Sequence, residues 1–385
     1  MSIRKEAMSS SAFLQMKEAY DNRKSIIKKW KKQGKKIIGT LGYDVPDELI
    51  LAADMMQYRI YGQYDIDLTE TDKYLEFAFP PVVRAQFEKI IDGTDADIMD
   101  YLVISNSTDA LVRIYYYIRE VKALEPEKLI PELYFIDWHF TRFRMHQIRN
   151  EQTLRKFKEQ LEIWRGKEIT DAEIKSASIV CNERRVLLEE LSELRKEGRI
   201  SGSEALIIIG ASYYIDVENY VVLLKQLLEH AAGWQIIDGC KVFVTGSVHE
   251  NTDFYNILES KGFNAVSEDH DWGDRSWERQ TNLEIESIKA IVDRYMLRSP
   301  GCKRAFVSER VETICKKAVN CGAKGVISYT HIYDDAPSWD FPEQKKALSE
   351  LGISSLQLSG VQYKSELDEK FSSKLDEFLT SIKEV

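Results

Sequence analysis

Apolar residues fall into two kinds of run along most of the chain. Short β-rich stretches alternate with longer segments whose apolar positions recur three or four residues apart. The stretches in the first half are Ile37-Ile38-Gly39-Thr40-Leu41, Tyr58-Arg59-Ile60-Tyr61-Gly62, residues 100–105 and Leu133-Tyr134-Phe135-Ile136-Asp137. In the second half they are residues 241–247, Phe263-Asn264-Ala265-Val266, Gly325-Val326-Ile327-Ser328-Tyr329 and Ser354-Ser355-Leu356-Gln357-Leu358. Helical spacing is predicted over 85–92, 110–121, 253–261, 283–297, 309–321, 343–351 and 367–382.

Two strand-turn-helix units stand out. In one, residues 100–105 run into Asn106-Ser107-Thr108-Asp109 and a helix with Leu111, Ile114, Tyr115 and Ile118 on one face. In the other, the Gly325 strand empties into His331, Tyr333, Asp334 and Asp335, and Trp339-Asp340-Phe341-Pro342 is read as the opening of a helix at 343. Ligands bind where such loops leave the carboxyl ends of parallel strands, so both turns are site candidates by topology. Strands alternating with helices predict an α/β protein with two flavodoxin-like (Rossmann-type) parallel-sheet domains. Residues 1–36 read as amino-terminal helices, 37–140 as the first α/β domain, 141–235 as a charged helical linker that covers it, and 236–385 as the second α/β domain. Thr170-Asp171-Ala172-Glu173 carries a capping-box signal within the linker.

Composition narrows the function classes. A chain of 385 residues with 44% hydrophobic and 11% aromatic content has enough apolar matter for two cores. A net charge of −10 argues against nucleic acid or an anionic membrane as the main partner. The exception is the basic cluster Lys28, Lys29, Lys31, Lys32, Lys35 and Lys36 around Trp30, read as a solvated helix face. With no secretory pattern and no run of 18 apolar residues, the expectation is a soluble, cytoplasmic protein. Five scattered cysteines, Cys181, Cys240, Cys302, Cys315 and Cys321, fit reduced buried thiols better than a metal site built on the last three.

Residue chemistry leaves several options open. Residues 268–275, EDHDWGDR, fit a metal site, an acid–base set, or a solvated loop with internal ion pairs, of which the loop is preferred. His331 with Asp334 and Asp335 suits proton transfer or metal binding as well as plain hydrogen bonding. Gly39-Thr40-Leu41-Gly42 and Thr245-Gly246-Ser247 are short of any full phosphate-binding motif. No Gly-x-Ser-x-Gly pattern speaks for a nucleophilic serine.

Four segments in order carry a resemblance to a known family. Residues 42–53 (GYDVPDELILAA), 103–109 (VISNSTD), the pair 333–335 (YDD) and 339–342 (WDFP), and the closing helix at 368–382 resemble the 2-hydroxyacyl-CoA dehydratase and benzoyl-CoA reductase family over nearly the whole chain. The resemblance implies a subunit of an ATP-activated, oxygen-sensitive enzyme of anaerobic metabolism, acting as a lyase on a 2-hydroxyacyl-CoA or as a reductase on an unsaturated or aromatic acyl-CoA. Such subunits pair as a heterodimer and receive single electrons from an ATP-dependent activator. They typically offer three cysteines to a 4Fe-4S cluster, and those places fall here on Pro80, Thr108 and Asp334. None of these supplies the thiolate that an iron–sulfur cluster prefers.

The chain is therefore expected to be the cluster-free partner of an iron–sulfur subunit. It would bind no cofactor alone and meet ATP only through the activator, with Glu48, Asp109, His331 and Asp335 as candidate catalytic residues. Two alternatives are a stand-alone acyl-CoA or small-ligand binding protein, and a metal-dependent hydrolase or lyase using His331, Asp334, Asp335 and His270.

Overall fold

The eight strands found among the described residues form two four-stranded sheets, each parallel throughout. A computed structural model describes residues 3–301 and 305–383. The first sheet holds β1 (Ile37–Leu41), β2 (Met56–Arg59), β3 (Tyr101–Ser105) and β4 (Glu132–Ile136) in the order β2-β1-β3-β4. The second repeats that order with β5 (Cys240–Gly246), β6 (Phe263–Glu268), β7 (Gly325–His331) and β8 (Ser354–Val361), as β6-β5-β7-β8. This is the expected pair of flavodoxin-like sheets. All residues of β1, β6 and β7 are buried, which is why those strands read as continuous rather than alternating apolar runs.

Helices cover both sheets. In chain order they are α1 (Lys5–Ser9), α2 (Ser11–Asp21), α3 (Arg23–Lys32), α4 (Asp47–Ala52), α5 (Pro81–Ile91) and α6 (Asp109–Leu124), then the long α7 (Arg144–Arg165) and α8 (Asp171–Glu197), then α9 (Gly202–Ala211) and α10 (Val217–Ala231). The second half adds α11 (Asp253–Ser260), α12 (Ser287–Leu297), α13 (Val307–Asn320), α14 (Asp335–Glu350) and α15 (Glu369–Lys383). The capping box at the start of α8 is present, with Thr170 and Glu173 bonding each other's backbone amides. Leu154, Phe157 and Leu161 of α7 pack on Ile38, Val103 and Ile136 of the first sheet. Ile288, Ile291 and Tyr295 of α12 join the same cluster, so a helix from the second half of the chain covers the first sheet. Phe13 and Met16 of α2 share a core with Ile208 of α9 and Leu224 of α10.

Three expectations from the pattern are corrected. First, α14 begins at Asp335, not at 343, and runs through Pro342. The carbonyl of Ser338, which the missing Pro342 N–H cannot engage, accepts Gln357 Nε2 at 3.3 Å instead. Second, α5 begins at Pro81, a residue pre-set for the first helical position. Third, residues 268–275 are not a solvated loop, because Glu268, Asp269, His270, Asp271, Trp272, Asp274 and Arg275 are all buried. The basic face of α3 is not left to solvent alone either. Lys28 pairs with Asp97 at 2.8 Å, a half-exposed pair that contributes little, and Lys24 lies 3.5 Å from the buried Asp95.

Candidate functional site

Strand order reverses beside β1 and β3 in one sheet and beside β5 and β7 in the other, so in each the loops that follow these strands diverge and leave a crevice at the carboxyl ends. The two crevices face each other across one cavity of about 400 Å³, within the range of small-molecule sites. Gly42 and Tyr43 after β1, Thr108 after β3, Ser247 and Glu250 after β5, and His331 at the end of β7 all line it. Gly42 turns the chain with φ +88°, and a Cβ there would meet Ser107 Oγ at 2.7 Å. Gly246, with φ +114°, lets β5 pass so close to β7 that a Cβ would collide with the Tyr329 carbonyl. Gly39, where a Cβ would meet Met99 Sδ, completes the three glycines of the weak phosphate-loop patterns, and all three serve close packing.

Pro80, Thr108 and Asp334 all line this cavity, and each is the N-cap of a helix: Pro80 of α5, Thr108 of α6, Asp334 of α14. Three helix amino ends, with their positive dipole ends, therefore border one cleft. Thr108 Oγ1 accepts the Leu111 amide at 3.3 Å. Asp334 is buried and accepts Ser247 Oγ at 2.6 Å, while Ser247 Oγ also accepts the His331 amide at 3.0 Å. Asp109 and Asp335, the first residues of α6 and α14, lie exposed at the mouth, where acids suit a helix start.

The floor is built by residues that the pattern alone did not single out. Arg59, at the end of β2, is 6% exposed, with its guanidinium 4.5 Å from the Trp272 ring centre and 4.6 Å from that of Tyr213. Its Nη1 donates to the Asp271 carbonyl at 2.8 Å. Glu250 is 3% exposed, accepts the Gly62 amide and Tyr363 Oη, and has its carboxyl pushed up by burial against the lowering pull of the Gly62 amide and of Arg23. A charged residue at the carboxyl end of an apolar strand, or in the loop after one, is the sequence signal that could have found both.

Glu48 does not line the cleft. It is fully buried in α4, accepts Arg185 Nη2 at 2.6 Å and Thr281 Oγ1 at 2.8 Å, and has its carboxyl lowered to about 2. Burial alone would raise it, but Arg185 and Arg294 outweigh that. This geometry gives Glu48 a structural place between α4 and α8. The 268–275 segment is likewise an internal network. Glu268 binds Arg195 of α8 in a two-pronged pair, and Tyr255 Oη lies 3.1 Å from Glu268 and 2.8 Å from His270 Nε2. His270, His249 and His331 form a row of imidazoles with ring centres 5.5 and 6.2 Å apart. Among the described residues no three His, Cys, Asp or Glu side chains are grouped to hold a metal ion, so the ligand set that a metal-dependent hydrolase needs is not assembled there. Cys181 and Cys321 are buried and Cys240 and Cys315 half-buried, all as free thiols, and none of the four borders the cleft; Cys302 lies outside the described residues.

A family model described as 2-hydroxyglutaryl-CoA dehydratase, D-component, matches residues 43–382, which takes in the whole second sheet, three of the four strands of the first and most of the cleft lining. The chain belongs to that family. It is 23% identical over 353 residues to the (R)-phenyllactyl-CoA dehydratase beta subunit of Clostridium sporogenes, covering 90% of this chain and 92% of the relative. It is also 23% identical over 337 residues to the (R)-2-hydroxyglutaryl-CoA dehydratase subunit beta of Acidaminococcus fermentans, covering 84% of this chain and 87% of the relative. The chain is thus a component of the 2-hydroxyacyl-CoA dehydratase type, a lyase family, as the four sequence segments implied.

The residues present do not fit the cluster that the resemblance implies at this cleft. At the three N-caps stand a ring without a ligand atom, a neutral hydroxyl and a carboxylate already engaged by Ser247. Iron–sulfur clusters take thiolate, which none of these provides. Among the described residues no helix is long and apolar enough to cross a membrane.

Proposed function

We propose that this chain is the cluster-free subunit of a 2-hydroxyacyl-CoA dehydratase, paired as a heterodimer with a related cysteine-bearing subunit that carries the 4Fe-4S cluster. The partner is served by an ATP-dependent activator, and the assembly is oxygen-sensitive and cytoplasmic. One observation carries the reading: Pro80, Thr108 and Asp334 gather as helix N-caps on a single cleft between two family-type sheets, yet none offers a thiolate. A scaffold that keeps the cleft after losing the ligands is explained when a partner depends on its shape. This chain then supplies interface and electrostatic surroundings, with Asp109, His331 and Asp335 at the cleft as the groups able to hold or pass protons.

The test is anaerobic co-expression with a cysteine-complete relative, followed by dehydration assays with a 2-hydroxyacyl-CoA, activator and ATP. Activity is expected only when both subunits are present. A partner that turns over equally well without this chain, or a chain that never co-purifies with it, would overturn the reading. The second reading, a small-ligand binding protein, draws on the cavity of about 400 Å³ and would show as saturable ligand binding without any partner.

A further inference from the structure

Seven buried arginines come from β2, α8, the 268–275 segment and the end of α12: Arg59, Arg184, Arg185, Arg195, Arg275, Arg294 and Arg298. Five are matched by carboxylates, Arg184 by Asp47, Arg185 by Glu48, Arg195 by Glu268, Arg275 by Asp271 and Arg298 by Asp44. Among the described residues, Arg59 and Arg294 have no carboxylate within ion-pair distance. Arg294 is deep and spends its donors on the carbonyls of Arg279 at 3.0 Å and Ser276 at 3.1 Å. Arg59 is different. Only its Nη1 is engaged, by the Asp271 carbonyl, and its Nε and Nη2 donate to nothing among the described residues, although the side chain borders the cleft. A desolvated guanidinium with open donors beside a cavity calls for an anion.

The surroundings specify which anion. The amino ends of α5, α6 and α14 border the same cavity and add to the positive potential. Asp109, Asp334, Asp335 and Glu250 border it too, while the other lining cation, Arg113, is exposed and paired with Glu76, which disfavours a multiply charged phosphate and leaves room for a single negative charge. One planar guanidinium fork matches a planar carboxylate. Ile60, Val82 and Val83 give a short hydrocarbon chain an apolar wall.

We propose that the floor of the cleft is a binding site for a small organic carboxylate, gripped by Arg59 between Trp272 and Glu250. The site belongs to this chain's own residues and holds whether or not the partner subunit exists. Gln86, whose Nε2 donates to the Ile60 carbonyl at 3.3 Å and lies 3.5 Å from Glu250 Oε2, borders the same floor.

Isothermal titration of the full chain with butyrate and inorganic phosphate decides it. The wild-type chain is expected to bind one carboxylate per chain and phosphate more weakly. Arg59→Gln should weaken carboxylate binding by about tenfold or more, the loss of a charged hydrogen-bonded anchor. Arg59→Lys should fall between the two, and Arg119→Gln, on an exposed part of α6, should match wild type. Absence of carboxylate binding by the wild-type chain, undiminished binding by folded Arg59→Gln, or tighter binding of phosphate would each overturn the proposal. Should Arg59→Gln not fold, phenylglyoxal labelling of the wild-type chain with peptide mapping replaces it. Saturating butyrate is then expected to slow modification of Arg59, and an unchanged rate would overturn the proposal. A failed dehydration assay leaves these outcomes untouched, so the two readings fail separately.

Discussion

Ser247 Oγ donates to Asp334 Oδ2 at 2.6 Å and accepts the His331 amide at 3.0 Å, fastening the end of β5 to the N-cap of α14 on the floor of the cleft. One hydroxyl thereby serves the turn that ends β7 and the buried carboxylate at the head of the next helix. Ser247→Ala removes a donor from a buried carboxylate and strands a buried amide without opening a sizeable cavity. The expected loss is about 1–3 kcal/mol of unfolding free energy, read by urea denaturation.

Glu48 and Glu250 are both buried acids, but their surroundings push them in opposite directions. Glu48→Gln leaves Arg185 buried without its carboxylate and is expected to cost about 3–5 kcal/mol. A carboxyl lowered to about 2 in the folded chain stabilises fully above its unfolded value near 4.5 and loses that contribution as pH falls from there toward 2. Denaturation midpoints for Glu48→Gln and wild type should therefore differ at pH 6 and converge toward pH 2.

His270 gives acid sensitivity at a higher pH. Burial pushes it down to about 4, against the raising pull of Glu268, so the folded chain resists the proton that the unfolded chain accepts near 6.5. Stability is expected to fall as pH drops from 6.5 toward 4, by on the order of 3 kcal/mol at full effect. His270→Gln should flatten the slope in that window, and thermal melts at half-unit pH steps would register it. An identical slope in the variant would assign the sensitivity to another group.

The convergence of three N-caps on one cleft makes the lost ligand set restorable. Thiolates at helix amino ends are favoured, so replacing Pro80, Thr108 and Asp334 together with Cys is expected to create an iron-binding site after anaerobic reconstitution. Iron analysis and a broad visible absorption band would report it. A folded but colourless triple variant would count against the cleft as the former cluster pocket.

The two turns that face each other were legible as sequence because each follows a wholly buried or nearly buried strand, whose apolar run is hard to mistake. What lay beyond reach was pairing across the chain. Glu48 meets Arg185 137 residues away, and Glu268 meets Arg195 73 residues away. Both arginines sit on α8, where the helical period reads as an apolar face with charges turned to solvent, and periodicity does not tell which arginine is enclosed. That is why the acidic run at 268–275 looked solvated and why Glu48 looked available for chemistry. Pro342 misplaced the start of α14 for a local reason: a proline usually ends or opens a helix, and only the distant Gln357 amide makes it tolerable inside one.

The central claim, that this chain is the thiolate-free half of a dehydratase pair, is tested most directly by counting iron and acid-labile sulfide on each subunit. The complex would be purified without oxygen and its chains separated under native conditions. The prediction is one cluster's worth of iron on the cysteine-bearing partner and none on this chain. A four-iron cluster held by this chain's own sulfurs would contradict it.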